Sequence, residues 1–152
     1  VFLITDFIGK TNAWDSGKVR LLNEGQIREM HRNGIVFGSH TVSHLDMSKA
    51  SAEQMKDELM RSKQVVDGLT SRVDTVFCYP YTRLNAQAKL LVKESGYFCA
   101  VSGDPLNLLD KNDIFEIPRV QVFPSTSLFG FWKKIQPWYP AWMRMVKEFK
   151  GK

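Results

Sequence analysis

The stretch "GSHTVSHLD", residues 38–46, sets His40 and His44 four residues apart, and these are two of the chain's three histidines. Histidines at i and i+4 on a helical turn point the same way and can share one metal ion. Spacing alone is weak evidence, because a pair is not yet a ligand set. Three neighbours strengthen it. The pair follows the strand-like run "IVF", Gly38 leaves room for close backbone approach, and Ser39 and Ser43 are candidate hydrogen-bond partners for ligating imidazoles. His31 lies in the polar run "REMHRNG" and reads as solvent-facing. A second constellation is "FCYPYT", residues 77–82. Pro80 fixes the backbone, and Tyr79 and Tyr81 beside it can wall a groove for a sugar ring or a peptide. The plainer alternative is a strand end with a proline turn.

The elements that must position these residues follow a rhythm of helix, glycine, strand. "NEGQIREMHRNG" ends at Gly34 and leads into "IVFGS"; "SAEQMKDELMRSKQVVDG" ends at Gly68 and leads to "DTVFCYP"; "NAQAKLLVKESG" ends at Gly96 and leads into "YFCAVS". Glycine just past a helix end takes the left-handed conformation without a Cβ penalty. In the middle helix Ser51 and Gln54 make a capping box, and Met55, Leu59, Val66 and Leu69 keep one apolar face. The strands are short and continuously apolar, as strands buried on both faces are. Strands alternating with helices imply a parallel sheet or a barrel, with ligands at the carboxyl ends of the strands. Both constellations fall at such ends. "IFEIPRVQVF" reads as one or two strands broken by Pro118, and residues 141–149 as a terminal amphipathic helix.

Length and composition fit this architecture. A chain of 152 residues is one domain by the usual prior, and 43% hydrophobic residues are enough for a core. No apolar run approaches the roughly 20 residues of a membrane-spanning helix. Val1 opens inside a strand-like run, so the chain is expected to lack a signal peptide and to be a mature or truncated product. Cys78 and Cys99 form no C-x-x-C pair and read as two buried thiols. The net charge of +5 is concentrated beyond Phe131, where Lys133, Lys134, Arg144, Lys147, Lys150 and Lys152 face Glu148 alone. Such a tail, interleaved with tryptophans, could dock on an anionic membrane or polymer. Because Trp142, Met145 and Phe149 share helical spacing, the tail is expected instead to pack as the last helices of the fold. Nucleic acid is not an expected partner.

"GSHTVSHLDMSKAS" followed about thirty residues later by "FCYPYTRLNAQAKLLVKESGY" resembles the polysaccharide deacetylase family, the NodB-homology domain of the carbohydrate esterases. "VFLITDFIGK" and "LLNEGQIREMHRNGIVFGSH" are similar to it too, so the resemblance covers residues 1–122 or so. It implies an α/β fold, a deformed (β/α) barrel lacking its first strand, holding one divalent metal, usually zinc, and removing acetyl groups from a glycan. His40 and His44 match the metal-binding histidines. Tyr79, Pro80 and Tyr81 match the groove wall, with the Tyr81 backbone N–H a candidate oxyanion donor.

The departures are specific. The family's paired aspartates, catalytic base and third metal ligand, lie upstream of a segment like "VFLITDF". Asp6 is not promoted to either role, and no histidine follows His44 to serve as the late acid. Cys78 stands where the family has an arginine, for which Arg119 in "IPRV" is a candidate substitute from another strand. Asp104 and Asp113 read as ordinary loop aspartates. General base and acid are therefore not identified in this chain, and weak or absent activity is expected of it. The alternative is a catalytically inactive glycan-binding module. The resemblance also implies a bacterial envelope or periplasmic setting.

Overall fold

The computed structural model describes residues 1–12, 19–103 and 113–150. Five strands form one sheet in the order of the chain, every neighbouring pair parallel: β1 (Phe2–Leu3), β2 (Gly38–Ser39), β3 (Val76–Cys78), β4 (Cys99–Ser102) and β5 (Ile117–Pro118). Between them run α1 (Glu24–Arg32), α2 (Ala52–Thr70) and α3 (Ala86–Glu94), with α1 against α2 and α2 against α3. Sequential order, without the reversal of a doubly wound sheet, is the winding of a (β/α) barrel. The sheet is also curled. Four strand spacings would put β5 about 19 Å from β1 in a flat sheet. Yet the Arg119 guanidinium, one residue past β5, sits 5.4 Å from the Phe2 ring on β1 and 3.0 Å from the Cys78 sulfur on β3.

Local chemistry sets the helices. Asn23 with Gln26, and Ser51 with Gln54, form reciprocal capping boxes at the starts of α1 and α2, and Asn85 caps α3. Gly34 and Gly96 end α1 and α3 at positive φ. Gly68 does not end α2: the helix continues to Thr70, and Ser71 takes the left-handed position at φ 54°. Two apolar clusters fix the helices to the sheet. Met55 and Leu59 of α2 meet Phe77, Tyr79, Ala88, Val92, Tyr97 and Ala100; Val66 and Leu69 meet Leu3, Ile27 and Phe37. A buried hydroxyl triad ties β2 to α2 and to the entry of β4: Ser39, Ser62 and Tyr97 lie 2.9–3.1 Å apart, with the Leu59 carbonyl accepting from Tyr97.

Several expectations are corrected. The strand after α1 is Gly38–Ser39, not "IVF": Gly38 and Ser39 pair with Phe2 and Leu3, and Ser39 also pairs with Phe77. Of "IFEIPRVQVF" only Ile117–Pro118 is a strand, an edge position where a proline's missing donor costs little. Cys78 is buried, but Cys99 is only half-buried. The tail is helical as expected, α4 (Leu128–Lys134) and α5 (Tyr139–Lys150), but among its residues whose burial is described only Tyr139 is buried. No residue of α4 is buried, and Leu128, Phe129, Phe131, Trp132, Ile135, Trp138, Trp142, Met145 and Phe149 are exposed. Lys133 and Lys134 are half-buried, Lys133 over the Phe129 and Trp142 rings and Lys134 over Phe123.

Candidate metal centre at the strand ends

β2 enters the site between two close neighbours. A Cβ on Gly38 would stand 2.5 Å from the Val76 carbonyl and 2.8 Å from the Phe2 ring, so only glycine lets β2 pass. The close approach expected at Gly38 is therefore made by its neighbouring strands. His40 follows, its backbone N–H on the Leu3 carbonyl at 2.8 Å. The chain then leaves the sheet as a loop, not the helical turn that the i, i+4 spacing suggested. Thr41 at φ 69° and His44 at φ 67° are left-handed, and it is this loop that brings the two rings together.

The imidazoles converge. His40 Nε2 and His44 Nε2 are 3.2 Å apart, with ring centroids 4.9 Å apart. His40 Nδ1 lies 2.6 Å from the Cys78 carbonyl. A carbonyl only accepts, so Nδ1 carries the proton and Nε2 keeps its lone pair turned toward His44. Burial pushes the His40 pKa down to about 4, opposed by the Cys78 carbonyl and aided by the nearness of His44, when that ring is protonated, and of Arg119. Burial lowers His44 as well. Both rings are thus neutral at pH 7, the form that ligates metals. Two tetrahedral nitrogen ligands about 2.05 Å from one zinc ion stand about 3.3 Å apart, close to the separation observed here. The pair fits one edge of such a site. Among the described residues no group of three or more His, Cys, Asp or Glu side chains forms a ready-made metal centre.

Ser39 and Ser43 do not bond the imidazoles. Ser39 belongs to the buried hydroxyl triad, and Ser43 donates to Glu58. The partner of His40 is a backbone carbonyl on β3, invisible to a reading of neighbouring side chains. His31 is half-buried, with Nδ1 3.2 Å from the Ile35 carbonyl, and lies at the end of α1 away from this pair.

"FCYPYT" comes to the same place, but its residues divide. Tyr79 is fully buried against Phe77, its hydroxyl donating to the Phe115 carbonyl at 2.8 Å, and Pro80 is fully buried too. Neither ring walls an open groove, which corrects that expectation for Tyr79. Tyr81 is 51% exposed and lies against His44 with centroids 4.4 Å apart. It and Thr82 are left-handed at φ 55° and 59°. Arg83 sits over the Tyr81 ring and pairs with Asp46 at 2.6 Å, tying the two loops together. Arg119 reaches the site from β5: its Nη2 is 3.0 Å from Cys78 Sγ and its Nε donates to the Ser102 carbonyl. A cation from another strand thus stands beside Cys78, whose thiol pKa burial pushes up and Arg119 pulls back. Asp113 accepts from Lys89 and from the Phe115 N–H, a structural clamp, and Asp104 lies outside the described residues.

A sequentially wound parallel sheet with a neutral histidine pair at its carboxyl end defines the class of α/β-barrel proteins that work at their strand ends. The polysaccharide deacetylase family matches residues 1–100, and the chain belongs to that family. It is 31% identical over 111 residues to YxkH of Bacillus subtilis (strain 168), which is named as a polysaccharide deacetylase; the match covers 72% of this chain and 40% of that one. Among solved structures it is similar to the Streptococcus pyogenes deacetylase PplD in complex with acetate (TM-score 0.70, 22% identity, 86% of this chain and 57% of that one). It is also similar to BC0361, a polysaccharide deacetylase from Bacillus cereus (TM-score 0.72, 22% identity, 89% and 40%). At these identities the solved structures establish the NodB-type barrel fold. The chain spans less than half the length of the YxkH relative.

Proposed function

We propose that this chain carries the histidine pair and groove of a metal-dependent hydrolase that removes acetyl groups from a glycan, N-acetylated amino sugars foremost. The observation that carries the reading is the convergence of His40 Nε2 and His44 Nε2 at 3.2 Å, with His40 Nδ1 held on the Cys78 carbonyl. His40 and His44 are the residues that would hold the ion, Zn²⁺ or another divalent metal. When bound, such an ion acidifies water and polarises an acyl oxygen. The chain's own residues do the rest. The Cys78 carbonyl fixes the tautomer of His40. The Tyr81 ring packs on His44 and faces solvent, where it can meet a sugar face, and its backbone N–H is the candidate oxyanion donor. Buried Tyr79 and Pro80 serve by holding Tyr81 in its left-handed conformation. Arg119 supplies positive charge beside the pair.

General base and acid are unassigned within these 152 residues, so the chain by itself is expected to turn over weakly. One observation favours a second reading, a glycan-binding module without catalysis: the arginine that neighbours Cys78 is bonded to the Ser102 carbonyl and the Cys78 sulfur, and so is partly engaged already. A bacterial envelope setting belongs to the same proposal.

Zinc stoichiometry on chelator-stripped, reloaded protein tests the reading. About one zinc per chain, absent from a His40→Ala/His44→Ala variant, supports it; no histidine-dependent zinc counts against it. Acetate release from an acetylated amino-sugar oligomer then separates hydrolase from binding module.

A further inference from the structure

The loop between the two histidines is strained and held from both sides. Thr41, a β-branched residue, and His44 both sit at positive φ, strained conformations that persist only where the surroundings impose them. On one side the carbonyls of Thr41 and Val42 accept from the backbone N–H groups of Thr5 and Asp6 at 3.1 and 3.0 Å. On the other side a single carboxylate from the middle of α2, Glu58, takes three bonds from Val42 and Ser43. Glu58 Oε2 accepts from the Val42 N–H at 2.7 Å and the Ser43 N–H at 2.9 Å, and Oε1 accepts from the Ser43 hydroxyl at 2.7 Å. Two successive N–H groups converge on one oxygen, and bonds of this length to a carboxylate are the strong, charge-assisted kind. Glu58 does not reach the histidines themselves. It grips the two residues between them.

We propose that Glu58 is the positioning residue of the histidine pair: its carboxylate imposes the left-handed loop that turns His44 Nε2 onto His40 Nε2. This rests on the reading of His40 and His44 as metal ligands for its consequence, but not for its geometry. Glu58→Gln is the informative variant. An amide keeps the size but removes the charge that strengthens all three bonds, and its NH₂ meets Ser43 only if that hydroxyl turns from donor to acceptor. α2 is anchored elsewhere by Met55, Leu59, Val66 and Leu69, so the fold is expected to survive.

Two readouts judge it, beside Glu53→Gln, an exposed first-turn control on the same helix. The first needs no metal: amide exchange at Val42 and Ser43, and the nuclear Overhauser contact between the two imidazoles in the stripped protein. Glu58→Gln is expected to expose both amides and lose the ring contact. The second is zinc affinity by chelator competition with the Co²⁺ absorption spectrum. A tenfold or larger loss of affinity and an altered spectrum are expected, while Glu53→Gln matches the parent. A folded Glu58→Gln chain that keeps the ring contact overturns the inference. If Glu58→Gln does not fold, Ser43→Ala, which removes only the hydroxyl bond, must show a partial loss of the ring contact, and an unchanged contact overturns the inference. A parent chain that binds no zinc, while Glu58→Gln still loses the ring contact, sinks the metal reading and leaves the positioning role standing.

Discussion

His40 illustrates how much of a site is decided by one contact. Its type and its spacing to His44 are in the sequence, but its tautomer is set by a carbonyl 38 residues away, on Cys78. The serines beside it, natural candidates for that role, are drawn off to Ser62, Tyr97 and Glu58. Gly38 is the opposite case, a residue whose need can be argued from its own position. With a carbonyl 2.5 Å and a ring 2.8 Å from any added Cβ, Gly38→Ala is expected to cost about 2 kcal/mol of stability. Because β2 delivers His40, the same change is expected to weaken zinc binding at the proposed histidine site. Urea midpoints and chelator competition measure the two effects; an unchanged midpoint would mean that both the Phe2 ring and the Val76 carbonyl give way without cost.

At the level of elements, the capping box at Ser51 and the apolar face of α2 were readable, since each depends on residues within one or two turns, while the equivalent box at Asn23 emerged only with the structure. The extent of α2 was not, because Gly68 meets nothing that stops the helix and Ser71 takes the left-handed position. Helix and sheet are joined by the Ser39–Ser62–Tyr97 triad, and burial pushes the Tyr97 pKa up to about 12. The unfolded chain releases this proton near pH 10 and the folded chain does not, so the folded state binds more protons in that window. Stability should therefore fall as pH rises from about 10 to 12. Tyr97→Phe is expected to lower stability at pH 7 by about 1–3 kcal/mol, leaving buried serine hydroxyls short of a partner, and to flatten the alkaline loss. Urea unfolding at pH 7 and pH 11 checks both signs. Tyr79, also raised by burial, contributes an alkaline slope of its own that the variant retains.

For the whole molecule, sheet and tail behave as separate problems. The sheet curls enough for Arg119, after the last strand, to reach Phe2 on the first and Cys78 on the third. The helices α4 and α5 bury only Tyr139 among the residues whose burial is described. Removing residues 128–152 is therefore expected to leave the unfolding midpoint within about 0.5 kcal/mol and the histidine pair intact, as surface changes usually do. Far-UV circular dichroism, urea unfolding and zinc affinity of the shortened chain test this, and a molten or insoluble product would show that the tail supports the barrel. What the sequence by itself determined is whatever local chemistry dictates: alternating helices and buried strands, helix starts, the histidine pair, and likeness to a deacetylase family. Only the tertiary structure decided that the pair sits on a strained loop, that Tyr79 is core while Tyr81 is surface, that Arg119 stands beside Cys78, and that the tail leaves its tryptophans and phenylalanines exposed while burying Tyr139. These depend on contacts between residues far apart in the chain. Helical or strand spacing fixes which side chains share a face, but not what that face meets.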